Sequence, residues 1–272
     1  MYLKLNKVIM NKLKDKWDSG DPYEYFMGRW SKLMAPEFLD WLNLPSQLTW
    51  LEIGCGTGAL SEVIMQYCEP SHLISIDPSE GFIAKAKERL QNKGEFLIGD
   101  VADIPFDDDK FDIIASGLAL NFFPNLASAL AEMKRVSKPN ATIAAYVWDY
   151  SGRIDLLRYF WDAVILVDSQ SGDLDEGVRF PICNENNLEN AFQQAGLFEI
   201  EVTTLDIITQ FKDFEDYWNP FLGGEGPAPS YLASLPEKIK DELREKVYDN
   251  LPVEPDGSIK LLGRAIAIKG KS

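Results

Sequence analysis

Residues 49 to 60 read Thr49, Trp50, Leu51, Glu52, Ile53, Gly54, Cys55, Gly56, Thr57, Gly58, Ala59 and Leu60. The apolar run from Trp50 to Ile53 has the character of a buried strand, and three glycines follow at alternate positions. Ala59, Leu60, Val63, Ile64, Tyr67 and Cys68 then fall on one face of a helix. A glycine turn between strand and helix lets the backbone approach a bound molecule closely, and the helix start adds N–H groups and a positive dipole end. The stretch reads as a nucleotide site. Gly54, Gly56 and Ala59 satisfy the dinucleotide spacing G-x-G-x-x-A. The other ligand reading is three alternate glycines behind an acid, Glu52. A tight turn with no ligand is the third.

The strands downstream bear on that choice. Leu73 to Ile76 forms a second apolar run ending at Asp77, 21 positions past Gly56, near the spacing at which a carboxylate meets ribose hydroxyls. Asp77 followed by Pro78 could instead cap the next helix, as could Ser79. A third strand, Glu95 to Ile98, ends at Gly99, Asp100 and Val101; such an acid can accept from an adenine amino group while the valine packs on its face. A fourth, Phe111 to Ala115, leads to Ser116 and Gly117, with Asn121, Phe122, Phe123 and Pro124 after it. A fifth runs from Thr142 to Trp148. This alternation of strand and helix predicts a doubly wound, mostly parallel α/β sheet, whose ligand lies outside the carboxyl ends of the strands. Glu52 to Gly58, Asp77, Asp100 and Ser116 all fall at those ends.

Composition narrows the function. The 272 residues are 46% hydrophobic, enough for a full core. Lys and Arg number 27 against 43 Asp and Glu, a net charge of −16 that repels phosphate backbones and disfavours a nucleic-acid partner. The one Lys-rich stretch, Lys4 to Lys16, alternates with apolar residues like the solvated face of a short helix. Three scattered cysteines, Cys55, Cys68 and Cys183, suit a reducing compartment, and a single histidine, His72, leaves no histidine-based metal site or Ser-His-Asp triad. No run approaches a membrane span. The expectation is a cytoplasmic protein with no metal and no integral membrane segment, its oligomeric state open.

With these residues assembled, the chain resembles class I S-adenosylmethionine (SAM) methyltransferases, in the small-molecule branch that includes the ubiquinone and menaquinone biosynthesis enzymes. The resemblance covers residues 20 to 148. It rests on Leu51 to Gly58, on Ile76 to Ser79, on Gly99 to Val101, on Ile104 to Phe106 with Phe111 and Asp112, and on Arg135 to Ala141. It implies a Rossmann-like seven-stranded sheet with an antiparallel last strand, SAM as cofactor and S-adenosylhomocysteine as product. It further implies that Gly54, Gly56 and Gly58 lie against the methionine end, and that Glu52 orders the amino group. Asp77 would take the ribose, Asp100 and Val101 the adenine, and Ser116 and Gly117 would flank the sulfonium. Cys55 and Pro78, inside the matched motifs, complete the cofactor set.

Two features depart from that family. The Asn-Pro-Pro-Tyr motif of many amino-methylating enzymes is absent after strand four. Residues 207 to 257 also interrupt the last strand pair, read as Phe198 to Val202 and Arg264 to Lys269. The chain is read as one domain, 1–272: N-terminal helices over 1–48, a core over 49–206 and 258–272, and an inserted lid over 207–257, with Gly223 to Pro229 as hinge. Tyr25 and Arg29, in the N-terminal helices, either close over the ligand or sit among packing aromatics. Phe122, Phe123, Trp148, Tyr217, Trp218 and Phe221 are the expected acceptor-pocket residues, for a small apolar or aromatic methyl acceptor. Tyr146, Asp149 and Tyr217 are the available candidates for a base, each better explained as structural. The rivals are an NAD-type oxidoreductase and a non-catalytic SAM-binding or partner-binding protein.

Overall fold

The computed structural model describes residues 24–91, 93–223 and 226–272. The Lys-rich N-terminal stretch and part of the expected hinge loop lie outside the described residues. A π-turn at Glu24–Gly28 leads into α1 (Arg29–Leu42), and then strands and helices alternate. They are β1 (Thr49–Ile53), α2 (Ala59–Tyr67), β2 (His72–Asp77), α3 (Glu80–Arg89), β3 (Glu95–Ile98), β4 (Phe111–Gly117), α4 (Leu126–Val136) and β5 (Ser137–Trp148). After them come α5 (Asp155–Val167), α6 (Glu176–Arg179), α7 (Glu185–Gln194), β6 (Phe198–Phe211), α8 (Phe214–Trp218), α9 (Pro227–Ser234), α10 (Glu237–Asn250) and β7 (Ile259–Lys271).

The seven strands form one sheet in the order β3-β2-β1-β4-β5-β7-β6. Pairs β1–β2, β1–β4, β2–β3 and β4–β5 are parallel, and β7 runs antiparallel to β5. This is the doubly wound sheet that the strand–helix alternation predicts, with the antiparallel last strand that the resemblance implies. The order reverses between β1 and β4, which places the switch point at the glycine turn. Local chemistry sets the element starts: Ser79 accepts from Phe82 N–H to cap α3, and Asn125 accepts from Ser128 N–H to cap α4. Arg135, at the end of α4, ties down the loop before β4 by donating to the carbonyls of Ile104 and Phe106 and to Asp108.

The strand ends correct the sequence reading. β6 continues through Phe211 because Ile207, Thr209 and Phe211 stay buried while Ile208 and Gln210 face out. β7 begins at Ile259, and the Thr209 hydroxyl donates to the Leu261 carbonyl. The segment between the two strands is therefore 212–258.

The chain packs as two compact units. One comprises 30–148, 182–206 and 265–272 and holds β1 to β5 with their helices. The other gathers described residues 24–29, 149–181 and 207–264, so the insertion shares its unit with α5 and α6. That second unit has an aromatic core. Phe160 stacks on Phe221 with centroids 4.7 Å apart, and Trp161 lies 5.6 Å from Tyr231. Arg158 pairs with Asp175 within it at 2.5 Å. No described helix is long and apolar enough to cross a membrane.

Candidate active site

The glycine turn leaves β1 with Gly54, Gly56 and Gly58 all at positive φ, the left-handed region that glycine adopts freely. The three are not equivalent. A Cβ on Gly54 would come 2.5 Å from the Ala119 methyl, and one on Gly58 would meet Leu90 at 3.0 Å and Ala86 at 3.2 Å. Those two glycines let neighbouring elements close on the turn. A Cβ on Gly56 would meet nothing within 4 Å among the described residues. Only there does the turn face open space.

Asp77, at the carboxyl end of β2, reaches across to that residue. Its Oδ2 accepts from Gly56 N–H at 2.9 Å and its Oδ1 from Ser79 N–H at 2.8 Å. Ser79, not Asp77, caps α3. Burial pushes the Asp77 carboxyl up from its ordinary value, and the two backbone donors oppose that shift. A carboxylate has about four lone-pair sites, so two remain for hydroxyl donors. Pro78 is exposed beside it. At the end of β3, Asp100 is exposed and its Oδ1 accepts from Ala102 N–H at 2.9 Å, while Val101 is buried.

Glu52 has a different setting from its neighbours. It is 1% exposed; Ser61 donates to its Oε2, as does Ser75 at 3.0 Å. Burial drives its carboxyl up to about 7 against those two hydroxyls. It ties β1, α2 and β2 together from inside. Cys55, also buried, packs with Ile83, Ala86, Leu90 and Phe96. At the end of β4 the Ser116 hydroxyl is buried without a hydrogen-bond partner among the described residues. Gly117 leaves room for Tyr146, whose hydroxyl would lie 2.7 Å from a Cβ there.

Residues 51–145 match the family model described as a methyltransferase domain. That match covers about a third of the chain and supports SAM-dependent methyl transfer. A demethylmenaquinone methyltransferase of Staphylococcus carnosus is 26% identical over 165 residues, 56% of this chain and 68% of that protein. An uncharacterized methyltransferase of Schizosaccharomyces pombe is 30% identical over 103 residues, 34% of this chain and only 37% of its relative's length. Phosphoethanolamine N-methyltransferase 2 of Haemonchus contortus, solved with phosphomonomethylethanolamine and S-adenosylhomocysteine, shares the fold at a TM-score of 0.56 and 14% identity, over 92% of this chain and 56% of its own.

The methyltransferase domain fits SAM on its own geometry. The open space over Gly56, the Asp77 carboxylate beside it and the unpartnered Ser116 hydroxyl are what a ligand with hydroxyls and a polar tail requires. Asp77→Ala is expected to weaken SAM binding by about 2–3 kcal/mol, the worth of charge-assisted hydrogen bonds to the ribose. Isothermal titration of the folded variant checks this; unchanged affinity removes Asp77 from the site.

Several expected site residues have other work in the structure. Arg29 Nη1 donates to Asp216 at 2.8 Å, and its guanidinium lies 4.8 Å over the Phe211 ring, all within the second unit. Tyr25 is half exposed in that unit. Tyr217, Trp218 and Phe221 are core residues there: Tyr217 is fully buried and its hydroxyl donates to the Leu156 carbonyl at 2.8 Å. Burial also raises that phenol well above its ordinary value, which suits packing better than proton abstraction. Asp149 Oδ2 accepts from Arg153 N–H in a turn. Trp148 is buried at the end of β5, Phe123 is half-buried, and Phe122 is 38% exposed.

Proposed function

We propose that the chain transfers a methyl group from SAM to a small apolar or aromatic molecule. The observation that carries this reading is the open space over Gly56 with Asp77 fixed beside it, at the switch point of the sheet. When bound, SAM supplies an activated methyl carbon that an acceptor's O, N or C nucleophile attacks in line, releasing S-adenosylhomocysteine. The residues' task is then orientation and exclusion of water. Gly54 and Gly58 keep the turn closed on its neighbours, Asp77 holds the ribose, and Asp100 with Val101 takes the adenine. His72 stands at the amino end of β2, the opposite end of that strand from Asp77. The acceptor is expected to bring a nucleophile that loses its proton readily.

Three observations support an apolar acceptor. Phe122 is exposed just past the end of β4. The net charge of −16 disfavours nucleic acid. One relative is named for demethylmenaquinone, a quinone-type molecule. Thermal shift with S-adenosylhomocysteine and with NAD, followed by an acceptor screen with methyl-labelled SAM, tests the reading. Stabilisation by S-adenosylhomocysteine and label in a phenolic or quinone-like product are expected. Stabilisation by NAD alone would favour the oxidoreductase, and binding without turnover on any acceptor a non-catalytic protein.

A further inference from the structure

A side-chain amide offers two donors on Nδ2 and two acceptor sites on Oδ1. In Asn121 both atoms are shut off from solvent, and neither meets a hydrogen-bond partner among the described residues. Leaving such groups buried and unpaired is costly, because each has given up its hydrogen bonds to water. The backbone leading to them is strained as well. Leu118 sits at φ +59°, rare for a residue with a side chain, and its N–H is fixed on the Tyr146 carbonyl at 2.8 Å. That turn ends β4 and starts the single 3₁₀ turn Leu120–Phe122 that carries Asn121.

The same segment forms a wall of the glycine turn. A Cβ on Gly54 would come 2.5 Å from Ala119 and 3.9 Å from the Phe123 ring, and these two residues flank Asn121. The turn that carries this unsatisfied donor and acceptor is thus packed against the glycine turn, on the strand end across the switch point from Asp77.

We propose that Asn121 is a cofactor-positioning residue that grips the α-amino carboxylate end of SAM. The proposal rests on the SAM reading of this site. An ammonium donates and a carboxylate accepts, so one neutral amide complements both halves of that group. A charged side chain in its place would repel one of them. The ribose, at the other end of the ligand, belongs to Asp77.

Titration calorimetry on the full chain tests this with two ligands. S-adenosylhomocysteine carries the amino-acid end; 5′-methylthioadenosine has the same nucleoside and sulfur without it. Asn121→Leu should lower affinity for S-adenosylhomocysteine by on the order of 10- to 100-fold and leave 5′-methylthioadenosine binding unchanged. The melting temperature of the free variant should stay level or rise, because no hydrogen bond is lost. Asn121→Asp, which adds a charge facing the carboxylate, should also weaken S-adenosylhomocysteine selectively. The proposal is overturned if Asn121→Leu binds S-adenosylhomocysteine like the wild type, or if both ligands weaken in parallel. Failure of the wild type to bind either ligand would overturn the SAM reading as well, a result distinct from the first two.

Discussion

Gly56→Ala is expected to abolish tight binding of S-adenosylhomocysteine in a chain that still folds, whereas Gly54→Ala should lose the fold itself. The two residues share a turn and a positive φ, so their difference lies in what a methyl group would meet. At Gly56 nothing among the described residues lies within 4 Å of the added carbon. The substitution then costs only the left-handed backbone, about 1–2 kcal/mol. The methyl occupies the space the ligand needs, and an affinity loss on the order of 100-fold or more follows. At Gly54 the added carbon would stand 2.5 Å from the Ala119 methyl, far inside the ~3.5–4.0 Å at which carbons touch. The turn after β4 would have to move away from β1. Thermal melts followed by calorimetry separate the outcomes. A folded Gly56→Ala that binds like the wild type would place the ligand elsewhere.

How much of this was legible depended on the kind of interaction. The strand-to-helix turn at 49–60 and the strand ends at Asp77 and Asp100 follow from local patterns, the antiparallel last strand from the family resemblance, and the structure has all of them. Arg135 shows why its motif matched: it ties down the Ile104 to Asp108 loop. What stayed hidden depends on long-range packing. No spacing says that Gly54 and Gly58 are glycines for Ala119 and Leu90, while Gly56 is one for open space. The aromatic run from Phe211 to Phe221 looks the same in sequence whether it lines a pocket or fills a core, and Phe160, its stacking partner, lies some sixty positions away. Glu52 sits in a matched motif, yet Ser61 and Ser75 claim its carboxylate. Asn121 could be found only by asking which buried polar atoms lack partners.

Stability should fall as pH rises from 5 to 8, the reverse of ordinary acid denaturation, because two buried glutamates hold their protons in the folded state. Glu52 in the sheet unit and Glu176 in the second unit are 1% and 2% exposed, and burial drives both carboxyls from 4.5 up to about 7. Glu176 is met by the Trp161 indole N–H, which favours the charged form but does not offset the burial. Below 4.5 both carboxyls are protonated in either state, so their burial as neutral acids is fully compatible with folding. Between 4.5 and 7 the unfolded chain releases protons that the folded chain keeps, and stability drops with pH. Above 7 the loss is complete, about 3 kcal/mol for each carboxyl at roughly 1.4 kcal/mol per pKa unit. Glu52→Gln and Glu176→Gln keep an oxygen for the serine and indole donors and remove the proton. Each should flatten part of the slope, and at pH 8 each should be more stable than the wild type. Urea titrations at pH 5, 6, 7 and 8 read this directly. A wild-type midpoint that climbs across that range, or glutamine variants with an unchanged slope, would show that these carboxyls are already ionised in the folded protein.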